Sequence, residues 1–316
     1  MRRSAQKTNS SAQKKADSAF KWIALSCAVL IILIMVAMVA ELTWNSRLSI
    51  KEFGLGFLTS DSWNPVTQEF GALSSIFGTL VSTIIALVIA VPLSLVTALF
   101  LVELAHPTVA KVIGAGIELL AAVPSIIFGM WGLFVFAPYM SDHIQPALNE
   151  YLGFIPLFQG PPMGIGMMTA GIILALMVLP FITAVTRDVF QMVPSVVKES
   201  AYGMGATTWE VTRKVTMPYG IKGIIGAFFL GLGRAIGETM AVTFVIGNNH
   251  RISWSLFMPA NSISSTLANE FTEASEPLYL SSLIELGLVL FGLTFLIQVI
   301  AQLWLTRVRK RTGGGL

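Results

Sequence analysis

Apolar residues fall along the chain in long, uninterrupted runs separated by polar connections. Six runs stand out, at about 22–40, 72–102, 112–138, 164–186, 219–247 and 281–305. Each is long enough for a helix to cross a hydrocarbon layer of roughly 30 Å. Leu, Ile, Val, Ala, Gly and Met fill them without the two-residue alternation of a barrel strand, so the runs predict helices. In lipid every backbone polar group must be satisfied within the protein, and six such runs then read as an all-α integral membrane protein with six transmembrane helices. Pro92, Pro124 and Pro180 lie well inside three of them. Each removes a backbone hydrogen bond and predicts a kink, serving either packing or a hinge. Gly233 and Gly237 make a small-xxx-small pair suited to close helix approach.

Basic residues are shared unevenly between the connections. Arg2, Arg3, Lys7, Lys14, Lys15, Lys21, Lys111, Arg187, Lys198, Arg213, Lys214, Lys222, Arg307, Arg309, Lys310 and Arg311 fall on one side of the six-span layout. Only Arg47, Lys51 and Arg251 fall on the other. Positive charge stays inside, so both termini and the connection before the fifth run are expected in the cytoplasm. This sidedness accounts for a net charge of +3 without a nucleic-acid partner. The first run is longer than the apolar core of a signal peptide and reads as a retained anchor. Cys27 is the single cysteine, which rules out an internal disulfide. Four segments follow: a disordered basic tail at 1–21, an N-terminal span and its connection at 22–71, the main membrane domain at 72–305, and a basic tail at 306–316.

Charges inside the runs narrow the chemistry. Arg234 and Glu238 stand four residues apart, which predicts one shared helix face. Such a pair at membrane depth either neutralises itself or lines an aqueous path. In the second case Arg234 offers a planar, permanent cation to a tetrahedral oxyanion, and Glu238 orients it or competes for it. Glu118, Pro124 and Glu285 are further candidates for a path or a helix kink. The two carboxylates could also pair with a cation of a partner subunit or be solvated near the interface. The glycines around Arg234 do not make a nucleotide loop, because Leu232 and Glu238 occupy the Walker A glycine and lysine positions. His106, His143 and His250 are scattered without metal spacing.

The connection before the fifth run reads Glu199-Ser200-Ala201, three residues, Gly205, nine residues, then Val215-Thr216-Met217-Pro218. It resembles the EAA loop of ABC importer permeases, with Ser200 in place of the first alanine. The resemblance implies a type I ABC importer permease (MetI-like) fold, with a loop at 199–218 that docks on a separate ATPase. Glu199, Ser200, Ala201, Gly205 and Pro218 would be the coupling residues. ATP and Mg would belong to that partner, leaving this chain without a cofactor or catalytic residues of its own.

Further blocks extend the likeness to the permeases of bacterial phosphate importers: Lys198 to Val211, Ile117 to Ile126, Gly129 to Phe134, Gly233 to Phe244, Met258 to Ile263 and Leu267 to Phe271. That resemblance implies a bacterial inner-membrane subunit with a second permease as heterodimer partner, an ATPase dimer, a periplasmic phosphate-binding protein, surrounding lipid, and phosphate as cargo. From the residues alone, Arg234 would suit molybdate, sulfate or phosphonate equally, and the chain could be the partner permease of the same complex. An ion-driven secondary transporter, using Arg234 and Glu238 as a proton relay, is the alternative from a different class. It predicts inverted repeats and gives the loop no task.

Overall fold

The computed structural model describes the backbone of residues 2–311 and the side-chain surroundings of residues 14–304 and 306. In chain order, α1 (Arg2–Asn45) leads to the short helices α2 (Arg47–Phe53) and α3 (Gly56–Thr59). A small hairpin follows, with β1 (Trp63–Asn64) antiparallel to β2 (Glu69–Phe70) and Trp63 opposite Phe70. Helix α4 (Leu73–Leu99) continues through a π-helical turn at Phe100–Leu104. Next come α5 (Pro107–Ala121), α6 (Ser125–Trp131), and a helical stretch with two more π turns that contains α7 (Ala137–Tyr139) and α8 (Gln145–Leu152). Then follow α9 (Met167–Gln191), α10 (Ser195–Gly203), α11 (Thr208–Val211) and, after a π turn at Thr212–Thr216, α12 (Met217–Ile236). The chain closes with α13 (Met240–Val245), α14 (Ile263–Glu270) and α15 (Pro277–Arg311).

Five stretches are long and apolar enough to cross a membrane: Lys14–Asn45, Leu73–Leu104, Met167–Gln191, Thr208–Ile236 and Pro277–Trp304. The run expected at 112–138 is instead broken, and its two parts meet at 89°. Pro124 explains the break: it lacks an N–H and biases Val123 away from helix, so it stands just before α6 rather than inside it. The run at 219–247 also divides, at Gly237–Thr239. By contrast α4 and α9 remain helical through Pro92 and Pro180. The Leu179 carbonyl beside Pro180 accepts from Ser94 Oγ of α4 (3.0 Å) and from Thr183 Oγ1 (2.8 Å), so neighbouring hydroxyls support the helix there. The disordered tail expected at 1–21 falls largely on residues 1–13, whose surroundings lie outside those described, and the backbone of α1 is helical from Arg2. Ala, Gln, Lys and Arg in that stretch are good helix formers and extend a helix already nucleated by the span. The C-terminal tail is likewise helical to Arg311, and 312–316 lie outside the described residues.

Helix α9 is the centre of the bundle. It packs along most of α4 and also against α12 and α5. Buried Ala86, Ala90, Ala170 and Ala227 alternate with Ile173, Leu174, Met177 and Val178, so small side chains on one helix admit large ones from the next. The apolar face of α1 stays on the outside, touching the bundle through α15.

At the end opposite α10, one carboxylate gathers the connections. Glu270 Oε2 accepts from Trp63 Nε1 (2.6 Å) and Tyr279 Oη (2.7 Å), while its Oε1 meets His250 Nε2 (2.9 Å). The His250 ring stacks on Trp63 at 5.4 Å. Asn261 Nδ2 lies 3.0 Å from His250 Nδ1 and 2.6 Å from Ser75 Oγ of α4. Hairpin, α14, α15 and α4 are thereby tied together. Burial raises the Glu270 pKa, but hydrogen bonds from His250, Tyr279 and Trp63 outweigh it and leave the carboxyl below its ordinary value of 4.5. Stability from this group is complete above that ordinary value and is lost as pH falls through the lower native one. Melting temperature in detergent should therefore drop across that acid range, with a shallower drop for Glu270→Gln. Identical acid slopes for the two proteins would remove Glu270 as the cause.

Candidate functional site

Helix α10 presents the motif. Glu199 points outward and is exposed, whereas Ala201 is buried. Ser200, the departure from the motif, donates its Oγ to the Val196 carbonyl at 2.7 Å, so its hydroxyl is satisfied within its own helix. The helix closes with two bonds, from Ala206 N to Ala201 O (3.1 Å) and from Gly205 N to Tyr202 O (2.9 Å). This is a Schellman cap, and it needs a left-handed residue where Gly205 sits with φ +87°. The spacing from Ala201 to Gly205 is thus the spacing of the cap itself. Thr207 then starts α11 with a capping box, its Oγ1 accepting from Glu210 N while Glu210 Oε2 accepts from Thr207 N.

From α11 the backbone stays helical through the π turn at Thr212–Thr216 into α12. Pro218 is the second residue of α12. In a tight helix its ring would meet the carbonyl of Lys214, and the wide turn relieves that clash. The second half of the loop, from Thr208, and the span that carries Arg234 are therefore one helix, of Thr208–Ile236. In α10 the exposed Val196 and Tyr202 stand one helical turn before and after the exposed Glu199, and Met204 is exposed at the end of the same helix.

One residue of this region was not singled out from the sequence. Glu103, in the π turn that ends α4, has a side chain only 6% exposed. Its Oε1 accepts from Lys198 Nζ of α10 (2.7 Å) and from Thr216 Oγ1 (2.9 Å). The signal available was a carboxylate directly beyond the apolar run expected to end at 102.

Arg234 lies in the last turn of α12, exposed, with its guanidinium over the Phe181 ring at 5.8 Å. Among the described residues no carboxylate pairs with it. Glu238 does not share its helix face, contrary to expectation, because α12 ends at Ile236. Its Oε1 instead accepts from Ala241 N at 3.1 Å and caps α13. Gly237 lies at the same helix end, while Gly233 faces Gln298 of α15, so the small-residue pair does not form one continuous contact. Glu118 is exposed and pairs within this chain with Arg187 of α9 at 2.7 Å. Glu285 is buried in α15, away from solvent, with its Oε2 unpartnered.

Residues 70–310 match the profile of the binding-protein-dependent transport system inner membrane component. The chain belongs to this family. It is 54% identical over 301 residues to the phosphate transport system permease protein PstC of Mesorhizobium japonicum, covering 94% of this chain and 92% of that one. The protein of the same name from Pasteurella multocida is 51% identical, over 90% of both chains. A probable PstC of Methanocaldococcus jannaschii is 35% identical, over 94% of this chain and 96% of its own. Among solved structures, a bacterial ABC transporter that imports alginate aligns over 91% of this chain and 96% of its own, with TM-score 0.61 at 13% identity. The MetNI methionine ABC transporter aligns with TM-score 0.51, at 19% identity over 75% of this chain and 94% of its own. At such identities the likeness shows the fold, which is the type I importer permease fold of a multi-pass inner-membrane subunit.

The cap makes the loop glycine testable. Nothing lies within 4 Å of a Cβ built on Gly205, so Gly205→Ala meets no clash and carries only the backbone penalty of its φ. That penalty is about 1 kcal/mol. Amide exchange at Ala206, followed by mass spectrometry of the 195–211 peptide, should quicken about fivefold. Unchanged exchange would mean that the cap does not depend on the glycine.

Proposed function

We propose that this chain is the PstC-type permease of a phosphate importer. It would form one side of the membrane path, with a PstA-like second permease as the other. A PstB-like ATPase dimer would dock on the 199–218 loop and supply ATP and Mg chemistry, while a PstS-like periplasmic protein would deliver inorganic phosphate. The loop end then lies in the cytoplasm, consistent with the basic residues gathered on that side. Relatives that carry the phosphate permease name over almost the whole chain support the cargo.

The observation that carries the reading is the state of Arg234. It stands about 24 Å along the helix from Pro218, exposed and without a carboxylate partner among the described residues, on the same rod as the second half of the loop. A free guanidinium at that depth is an electrostatic liability unless an anion or an aqueous path meets it. Phosphate provides the negative charge and acceptor oxygens that a guanidinium fork binds. Glu238, engaged as the cap of α13, does not neutralise it, and the cation remains available to cargo. Exposed Val196, Tyr202 and Met204, near Glu199 along α10, supply an apolar and acidic patch for the ATPase.

The test is uptake of radiolabelled phosphate by proteoliposomes holding the full complex. Arg234→Ala should assemble normally and transport about tenfold less or worse, the loss expected when a charge-assisted contact is removed. Glu238→Gln keeps an oxygen for Ala241 and should lose far less. Normal uptake by Arg234→Ala would return that residue to a structural role, and uptake of sulfate or molybdate in place of phosphate would overturn the cargo.

A further inference from the structure

Glu103 joins three separate elements at a single oxygen atom. Lys198 comes from α10, Thr216 from the head of α12, and Glu103 from the foot of α4. The Lys198 side chain is 16% exposed and that of Glu103 6%, so the pair is largely withdrawn from water. A withdrawn carboxylate of this kind is held in place by its partners far more firmly than a surface ion pair. Beside it, a cavity of about 530 Å³ separates Val96, Phe100 and Leu104 of α4 from Trp209 and Thr212 of the loop. The loop is thus not packed flush against α4 there, and the Glu103 contact bridges across the gap's edge.

Both helical contributors sit in π turns, Phe100–Leu104 for Glu103 and Thr212–Thr216 for Thr216. A π turn carries one residue more than the α-helix it interrupts, and it can pass into α-helix by shifting register. The Thr212–Thr216 turn joins the loop to the α12 span, and the Phe100–Leu104 turn ends the α4 span and leads to α5. Moreover, α4 is the helix packed most extensively along α9. Displacement of α10 therefore reaches the bundle by two routes. One runs along α12, and the other passes through Glu103 into α4 and α9.

We propose that Glu103 is a positioning residue for coupling, a clamp that makes α4 move with α10 and α12 when the ATPase displaces the loop. This rests on the importer reading above. Neither Glu103 nor Lys198 touches cargo. Their role is to keep the loop and the α4 span in a fixed relation, so that nucleotide turnover is spent on moving the path.

The experiment uses the full complex in liposomes, with ATP hydrolysis and phosphate uptake measured in the same vesicles. Glu103→Gln and Lys198→Met should lower phosphate moved per ATP about tenfold, and the exchanged pair Glu103→Lys with Lys198→Glu should recover most of it. Thr216→Val, which removes one contact and no charge, should give a smaller loss of the same kind. A purely structural role would instead lower assembly, hydrolysis and uptake together, leaving the ratio of the surviving complex intact. An unchanged ratio in all three single variants overturns the clamp. So does a lowered ratio in them that the exchanged pair fails to raise. Failure of the unmodified complex to take up phosphate would count against the cargo and not against Glu103, because the ratio can then be read with whichever oxyanion is transported.

Discussion

Lipid offers no water to a helix that stops part-way, so every interruption inside the bundle has to satisfy its own backbone. Two such interruptions organise the molecule. At 237–239 the end of α12 closes with Gly237 N on Gly233 O and Glu238 N on Ala235 O, and the Glu238 carboxylate takes the Ala241 N–H at the start of α13. At 122–124 the turns close through Ala122 N on Glu118 O, Val123 N on Leu120 O and Ile127 N on the Pro124 carbonyl. These bonds allow α6 and α13 to exist as short helices packed against each other in the bundle. They also decide the fate of the charges. Once Glu238 is used as a cap, Arg234 is left at a helix end with an aromatic ring for company and no counter-ion among the described residues.

How far the chain could be read in advance follows from how local each signal is. The thickness of hydrocarbon imposes a minimum run length, so the spans were legible, and α4, α9 and α15 lie close to where their apolar runs place them. The two broken spans were misjudged because hydropathy is blind to a three-residue break. Pro124 was noticed, but a proline supports a kink and a break alike, and Pro92 and Pro180 show the milder outcome. The Arg234–Glu238 spacing was misread for the same reason. Four residues mean one face only while the helix continues, and here it does not.

The loop was legible because each motif position has a local backbone task. Ala201 is small and buried, and its carbonyl accepts the cap. Gly205 supplies the left-handed turn, and Pro218 accompanies the wide turn before it. Glu103 had no such signal. Its partners lie 95 and 113 residues away, and only the fold brings them to it. A carboxylate at the foot of an apolar run reads as a solvated end until those two donors are seen.

The same distinction between continuous and interrupted helix bears on how force would pass through the permease. From Thr208 to Ile236 the chain is a single rod, joined to α10 through the cap at Gly205 and through Glu103, which holds both Lys198 and Thr216. A rod resists bending because bending lengthens hydrogen bonds along its whole outer side, whereas a break rotates a few dihedrals. In the importer reading, displacement entering at the loop would pass along this helix toward Arg234, and the break at Gly237–Thr239 would be the place to absorb it. What lies past the break is anchored. Helix α13 packs on α6, α9 and α14, and α14 ends in Glu270, which holds the hairpin and α15 through Trp63 and Tyr279. Arg234 would then occupy the last helical turn that moves with the loop, next to a segment tied to the far end. Under the proposed function, a cation placed there would change its surroundings with each displacement, as binding and then release of an anion requires, whereas a guanidinium deep in either rigid half would not.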